Sequence, residues 1–137
     1  MFKKIIQISF AIVIILSLVS CKNTKQKLQE YVITYNTSIA PSFKGENITG
    51  TTARGYLEDN KIEIRIETDL EQNESNKQKY SKAFPDLLAE MIKKDQLPKA
   101  LIEEGISFHV YFLAKDNTVL SKVIINKEEL KELLKEK

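Results

Sequence analysis

The chain has 137 residues, of which 21 are Lys or Arg and 19 are Asp or Glu, for a formal net charge of +2 at pH 7. It contains one cysteine, Cys21, and one histidine, His109. These counts exclude an intramolecular disulfide and a zinc site built from several Cys and His ligands. The four glycines form no phosphate-binding loop. From these observations together we expect neither a metal nor a cofactor.

Residues 1–20 have the pattern of an export signal. Two lysines precede an apolar run from Ile5 to Val19, and the first acidic residue is Glu30. This run is shorter than the roughly 20 apolar residues that a helix needs to cross a bilayer, so it predicts a cleaved signal. An uncleaved N-terminal anchor helix is the alternative.

The apolar run ends in Leu18-Val19-Ser20-Cys21, which resembles the lipobox of bacterial lipoproteins. The resemblance implies that the signal is cut between Ser20 and Cys21 and that the Cys21 thiol carries acyl chains such as palmitate. It implies that the lipid bilayer is a partner and that the mature protein lies at the cell envelope. Lys22 stands where an Asp, in lipoproteins resembling those of enteric bacteria, retains the protein in the inner membrane. We therefore expect the periplasmic side of the outer membrane, or the outer leaflet of the plasma membrane in a cell with a single membrane.

Signal cleavage changes the charge balance of the chain. Lys3 and Lys4 leave with the signal, so the mature chain has 19 basic and 19 acidic residues. Because nucleic-acid binders carry a basic face and a high pI, the neutral balance predicts no nucleic-acid partner.

The mature chain has the size of one small domain. Residues 21–27 predict a lipidated tether, and residues 28–137 predict a single α+β domain. Apolar residues at helical spacing predict helices over 28–39, over 78–94, in a short segment from Pro98 to Glu104 and after Asn126. Pro85 is tolerated only near a helix start, so Ser81 is predicted as the cap of the second helix.

Alternating apolar residues predict four strands in two hairpins. A two-residue turn at Asp59 and Asn60 would place Leu57 opposite Ile62. A turn at Asp116 and Asn117 pairs the strands 106–114 and 119–125, with Phe108 opposite Ile125, Phe112 opposite Ser121 and Ala114 opposite Val119. The order α-ββ-α-ββ-α predicts one four-stranded antiparallel sheet with helices mainly on one face. This order looks similar to small exported α+β lipoprotein domains, without a diagnostic motif.

The second face of this sheet is the candidate interaction site. We predict that it consists of Tyr56, His109, Tyr111, Leu113, Leu120, Lys122 and Ile124. Such a face would mark an interaction surface if nothing covered it. The alternative is that the C-terminal helix covers it with Leu130, Leu133 and Leu134.

His109 is the only candidate for catalytic base. A catalytic imidazole needs a nucleophile within hydrogen-bond reach and a carboxylate behind it, and no spacing nominates either. We therefore expect no catalytic residue and a non-enzymatic binding module that meets an envelope protein of unknown identity. Alternatives are an immunity or inhibitor protein against an envelope-acting toxin, and a small hydrolase that uses His109.

The lipobox can be tested on the purified chain. We expect mass spectrometry to find an N-terminal peptide that begins at acylated Cys21, and we expect the Cys21→Ala variant to keep residues 1–20. An N-terminal peptide that begins at unmodified Met1 would contradict the expectation.

Overall fold

A computed structural model describes residues 23–135. The predicted signal, its cleavage site and Cys21 lie outside these residues. Within them the chain forms an α+β fold with one four-stranded sheet, as predicted. The helices are α1 (Thr24–Thr34), α2 (Glu74–Lys93), α3 (Lys99–Glu103) and α4 (Lys127–Lys135), and the strands are β1 (Ile48–Tyr56), β2 (Lys61–Thr68), β3 (Ser107–Leu113) and β4 (Val119–Ile125).

The first helix begins earlier than predicted. Asn23 caps α1, because its side chain accepts a hydrogen bond from the Gln26 backbone N–H and the Gln26 side chain accepts one from the Asn23 N–H. Lys27 forms an ion pair with Glu104 at the end of α3. The predicted tether over 21–27 is therefore wrong for its described part, since residues 24–27 are helical. Beyond α1, a π-helical turn, Tyr35–Ile39, and a 3₁₀ turn, Ala40–Ser42, lead toward β1.

The second helix also begins earlier than predicted. Asn73 is its cap, with its side chain 2.7 Å from the Asn76 backbone N–H, and Ser81 is inside the helix. Pro85 lies in the helix interior, where it removes the hydrogen bond that its N–H would donate to the Ser81 carbonyl. Burial of Phe84, Leu88 and Ile92 on the sheet outweighs that local cost.

The sheet has the order β1-β2-β3-β4 and is mixed. Both hairpins are antiparallel, as predicted, but β2 and β3 are parallel, so the fully antiparallel prediction is wrong. The reason is the crossover. Helix α2 is about 30 Å long and returns the chain to the start of β2, where the Ser107 N–H donates to the Asn60 carbonyl. A strand that begins there must run in the direction of β2.

The first hairpin has a different register from the predicted one. Leu57–Asp59 form a 3₁₀ turn, and Asn60 alone is left-handed, with φ 47°. A two-residue type I′ turn needs positive φ at both central residues, which Asp59 lacks. Gly55 therefore pairs with Ile62 in place of Leu57. The slip is two residues, so each side chain stays on its predicted face.

One face of the sheet carries the core. The core includes Ile62, Ile64, Ile66, Phe108, Val110 and Phe112 from the two central strands, with Leu28, Tyr35, Phe84, Leu88, Ile92 and Leu130 from the helical segments. Helix α4 contacts α2, α3 and β4. The predicted alternative, in which α4 covers the other face, is therefore wrong, because Leu130 lies in the core cluster.

Gly55 provides a test of the packing of α1 on β1. A Cβ at Gly55 would lie 2.7 Å from Leu28 Cδ2 and 3.3 Å from Val32 Cγ2, so Gly55→Val would push α1 off the sheet. We expect urea unfolding to show a loss of about 1–3 kcal/mol. The matched control is Gly50→Val in the same strand, where the nearest atom to a Cβ is Glu67 Oε2 at 3.6 Å. Equal losses in the two variants would contradict the packing argument.

Candidate functional site

The described helices leave the second face of the sheet uncovered. We call this surface the open face. It consists of Thr52, Arg54 and Tyr56 of β1, Lys61, Glu63, Arg65 and Glu67 of β2, His109 and Tyr111 of β3, and Lys122 and Ile124 of β4. All are exposed or half-buried. It follows that five of the seven predicted site residues, all except Leu113 and Leu120, lie together on one accessible surface.

Leu120 is not part of the open face. It is 4% exposed and belongs to the core cluster. The register of the β3–β4 ladder shifts after Phe112, so that Leu113 pairs with Val119 and the predicted pairing of Ala114 with Val119 does not form. This irregularity turns Leu120 inward and leaves Val119 43% exposed. The prediction for Leu120 is wrong because it assumed strict alternation along β4.

Leu113 lies on the side of the open face but is buried. It is 2% exposed and lies outside the main core cluster. With Glu63, Arg65, Tyr111, Asn117 and Val119 it lines a shallow depression of about 250 Å³. Leu113 therefore supports the open face from below and offers little surface to a partner.

Every second residue of β2 lies on the open face, and these residues alternate between positive and negative charge. The order is Lys61, Glu63, Arg65 and Glu67, while Ile62, Ile64 and Ile66 are fully buried on the other side. Sequence reasoning omitted these four residues from the site. The signal was present in the Ile-X-Ile pattern, but only the register with β3 shows that they lie beside His109 and Tyr111.

Both tyrosines of the open face have cations over their rings. Lys61 Nζ lies 4.4 Å and Arg54 Cζ 5.4 Å from the ring centroid of Tyr56. Lys122 Nζ lies 5.1 Å from the centroid of Tyr111. Cation–π contacts at exposed sites contribute about 0.5–1 kcal/mol. Tyr and Arg are also residue types that are enriched at protein interfaces.

The surroundings of His109 do not form a catalytic arrangement. Its cross-strand partners are Glu63 on β2 and Ile124 on β4, and neither is a hydroxyl or thiol nucleophile. Partial burial lowers the pKa of His109 below its usual 6.5; nearby Lys61 and Lys122 lower it further, and Glu63 opposes them. The imidazole is therefore mostly neutral at pH 7, and the open face gains no charge from it.

Metal ligands do not cluster in the described part of the chain. No group of three or more His, Cys, Asp or Glu side chains in residues 23–135 could hold a metal ion. In the same residues, no helix is long and apolar enough to cross a membrane.

A second candidate surface is an apolar cavity of about 240 Å³ at the end of the sheet opposite the N-terminus of α1. It is lined mainly by Ile48, Tyr80, Phe84, Leu87 and Phe112, and Tyr80 stacks on Phe112 with ring centroids 5.2 Å apart. Its lining contains one charged residue, Glu46, so it offers a partner few polar contacts.

Comparison with known proteins leaves the site to be interpreted from its own geometry. No protein-family model, curated protein or solved structure matches this chain.

Titration of His109 tests the electrostatics of the open face. We expect NMR of the ring protons to give a midpoint below 6.5, and Lys122→Gln to raise it by removing a nearby positive charge. Because the folded-state pKa lies below the unfolded value, His109 should destabilise the fold as pH falls from about 6.5 through the folded pKa. Lys131→Gln, on the exposed side of α4, is the control and should leave the midpoint unchanged. A midpoint above 6.5 would contradict the assignment.

Proposed function

We propose that this protein is a lipid-anchored component of the bacterial cell envelope that binds another protein through its open face and is not an enzyme. Acylation of Cys21 would hold it at the membrane. The observation that carries the binding role is the open face itself. It spans all four strands, it is uncovered by the described helices, and it presents two tyrosines beside an Ile124 that is 42% exposed.

The chemistry of the open face favours binding over catalysis. Tyr56 and Tyr111, each with a cation over its ring, form an amphipathic surface, and tyrosine side chains lose little conformational entropy when a partner covers them. His109 has no nucleophile at its paired positions, so a hydrolase mechanism has no starting residue there. An immunity or inhibitor protein would be one form of the same role, with an envelope-acting toxin as the partner.

The short distance between the predicted anchor and the fold constrains the arrangement at the membrane. Cys21 precedes the helix cap Asn23 by two residues, a stretch that spans at most about 7 Å. An acylated Cys21 would therefore hold the N-terminus of α1 against the bilayer. Partners would then be met beside the membrane, and not at the end of a long tether.

Pull-down from detergent-solubilised native envelope tests the binding role. We expect Tyr111→Glu and Ile124→Arg to reduce capture of envelope proteins at least about tenfold, because each places an unpaired charge in the interface. These positions are preferable to Leu113, whose burial means that a charge there would also destabilise the fold.

The matched control is Ile33→Arg on α1. Ile33 is 63% exposed, so the chemical change equals that of Ile124→Arg at a position away from the open face. Circular dichroism confirms folding of each variant. Equal capture by wild type and Ile124→Arg, or loss of capture in Ile33→Arg alone, would contradict a site on the open face.

A further inference from the structure

The charged residues that β2 exposes on the open face are complementary to the same residues of a second β2 that runs in the opposite direction. From start to end the strand exposes Lys61, Glu63, Arg65 and Glu67. A second β2 that lies over the first in the opposite direction brings Lys61 against Glu67 and Glu63 against Arg65. Each of these pairs occurs twice, so all eight charges of the two strands meet an opposite charge.

We propose that the partner on the open face is a second copy of this chain, packed face to face about a two-fold axis that crosses β2 between Glu63 and Arg65. The inference rests on the proposed use of the open face for binding and names its partner. Such an interface is isologous, since each pair recurs with the copies exchanged. Face-to-face sheets lie about 10 Å apart, a gap that Lys, Arg and Glu side chains from both sides can bridge.

The same axis matches the residues of β3. Glu63 is in register with His109, and Arg65 is in register with Tyr111. The axis therefore places His109 of one copy over Tyr111 of the other. A neutral imidazole on a phenol ring is a favourable aromatic contact and adds no buried charge.

The outer strands, β1 and β4, also place no like charges opposite each other across the axis. Tyr56 is in register with Lys61, and Gly50 with Glu67, so the axis places the bulky ring of Tyr56 over the Gly50 of the other copy. Arg54 falls over Thr52 by the same rule. On β4, Lys122 falls over Ile124. Across the four strands, every cation faces an acidic or an uncharged residue.

The charges that this interface uses have no ion-pair partner within the described fold. Ion pairs among residues 23–135 include Lys27 with Glu104, Lys77 with Glu74 and Lys115 with Glu71, and none of these three involves the open face. Complementary pairing across an interface gives orientation and specificity. A uniformly anionic partner, such as a nucleic acid or an acidic membrane surface, would place its charge against Glu63 and Glu67.

The size of the open face sets the strength of the contact. Four strands of about seven residues give a footprint of roughly 450 Å². A stable interface buries about 800 Å² per partner, so the dimer should be weak in dilute solution. Confinement of two copies to one membrane would raise their effective concentration.

The two-fold axis is compatible with anchoring in one membrane. The axis lies between the two sheets and runs perpendicular to the strands. Each strand therefore lies over the same strand of the other copy, and both β1 edges lie on the same side of the dimer. Helix α1 packs on the core face along β1, with Leu28 beside Gly55 and the following Tyr35 beside Thr51. The Asn36 side chain, just after α1, forms two hydrogen bonds with this edge. It accepts one from the Ala53 N–H at 2.8 Å and donates one to the Ala53 carbonyl at 3.0 Å. Because the axis reverses the strand direction, the two α1 helices run in opposite directions, and both predicted anchors lie on the β1 side of the dimer, at opposite ends of it.

Charge reversal tests the axis. The full chain, in detergent that is density-matched to the buffer, is followed by sedimentation velocity over a concentration series at low salt. We expect Glu63→Arg and Arg65→Glu each to weaken dimerisation at least about tenfold, because each places two like-charge pairs across the axis. An equimolar mixture of the two variants should dimerise at least as well as wild type, since both cross pairs are then opposite in charge. The double variant should also regain dimerisation.

The control variants are Lys131→Glu and Glu132→Arg, which make the same charge changes at exposed positions of α4 and should dimerise like wild type. A monomeric wild-type chain throughout the series, or single variants that dimerise like wild type, would overturn the proposal. So would a mixture that fails to dimerise. If dimerisation is absent while Ile124→Arg still abolishes capture of an envelope protein, the second copy is wrong and the proposed binding role remains.

Discussion

The structure depends on the two-sided character of β2. Ile62, Ile64 and Ile66 have no solvent exposure, while the residues between them are charged and lie on the opposite face. Burying three isoleucines contributes several kcal/mol, at about 1.5–3 kcal/mol for each side chain. A strand with one apolar and one charged face cannot be covered on both sides without burying its charges. The helices therefore gather on one face, and the other stays open.

The crossover between β2 and β3 determines which residues of β3 lie beside the charges of β2. If β3 ran antiparallel to β2, the cross-strand neighbours of the β2 charges would change. In the parallel register, Glu63 lies beside His109 and Arg65 beside Tyr111. Helix α2 produces this register, because its single pass across the sheet returns the chain to the start of β2 before β3 begins. The composition of the open face is thus a consequence of how the core is covered.

Side chains from the segment after α1 form hydrogen bonds with the β1 edge of the sheet. At β1, the Asn36 side chain satisfies the Ala53 N–H and carbonyl, and so occupies part of an edge that could otherwise pair with another strand. The Tyr35 hydroxyl donates to Thr51, whose own hydroxyl donates to the Arg65 carbonyl, so a polar residue is accommodated in the core at the same edge. The aromatic and charged side chains of β1 lie on the open face, away from these contacts.

Local patterns in the sequence determined which segments are helices and strands and which side of each strand is apolar, because periods of 3.6 and 2 are properties of neighbouring residues. They also determined the lipobox resemblance at Cys21. Only the tertiary structure decided the direction of β3, the side on which α4 packs and the inward turn of Leu120. Each of these depends on contacts between residues far apart in the chain. The site was therefore half predictable: Tyr56, His109, Tyr111, Lys122 and Ile124 follow from alternation, but their position beside the charges of β2 follows from the crossover alone.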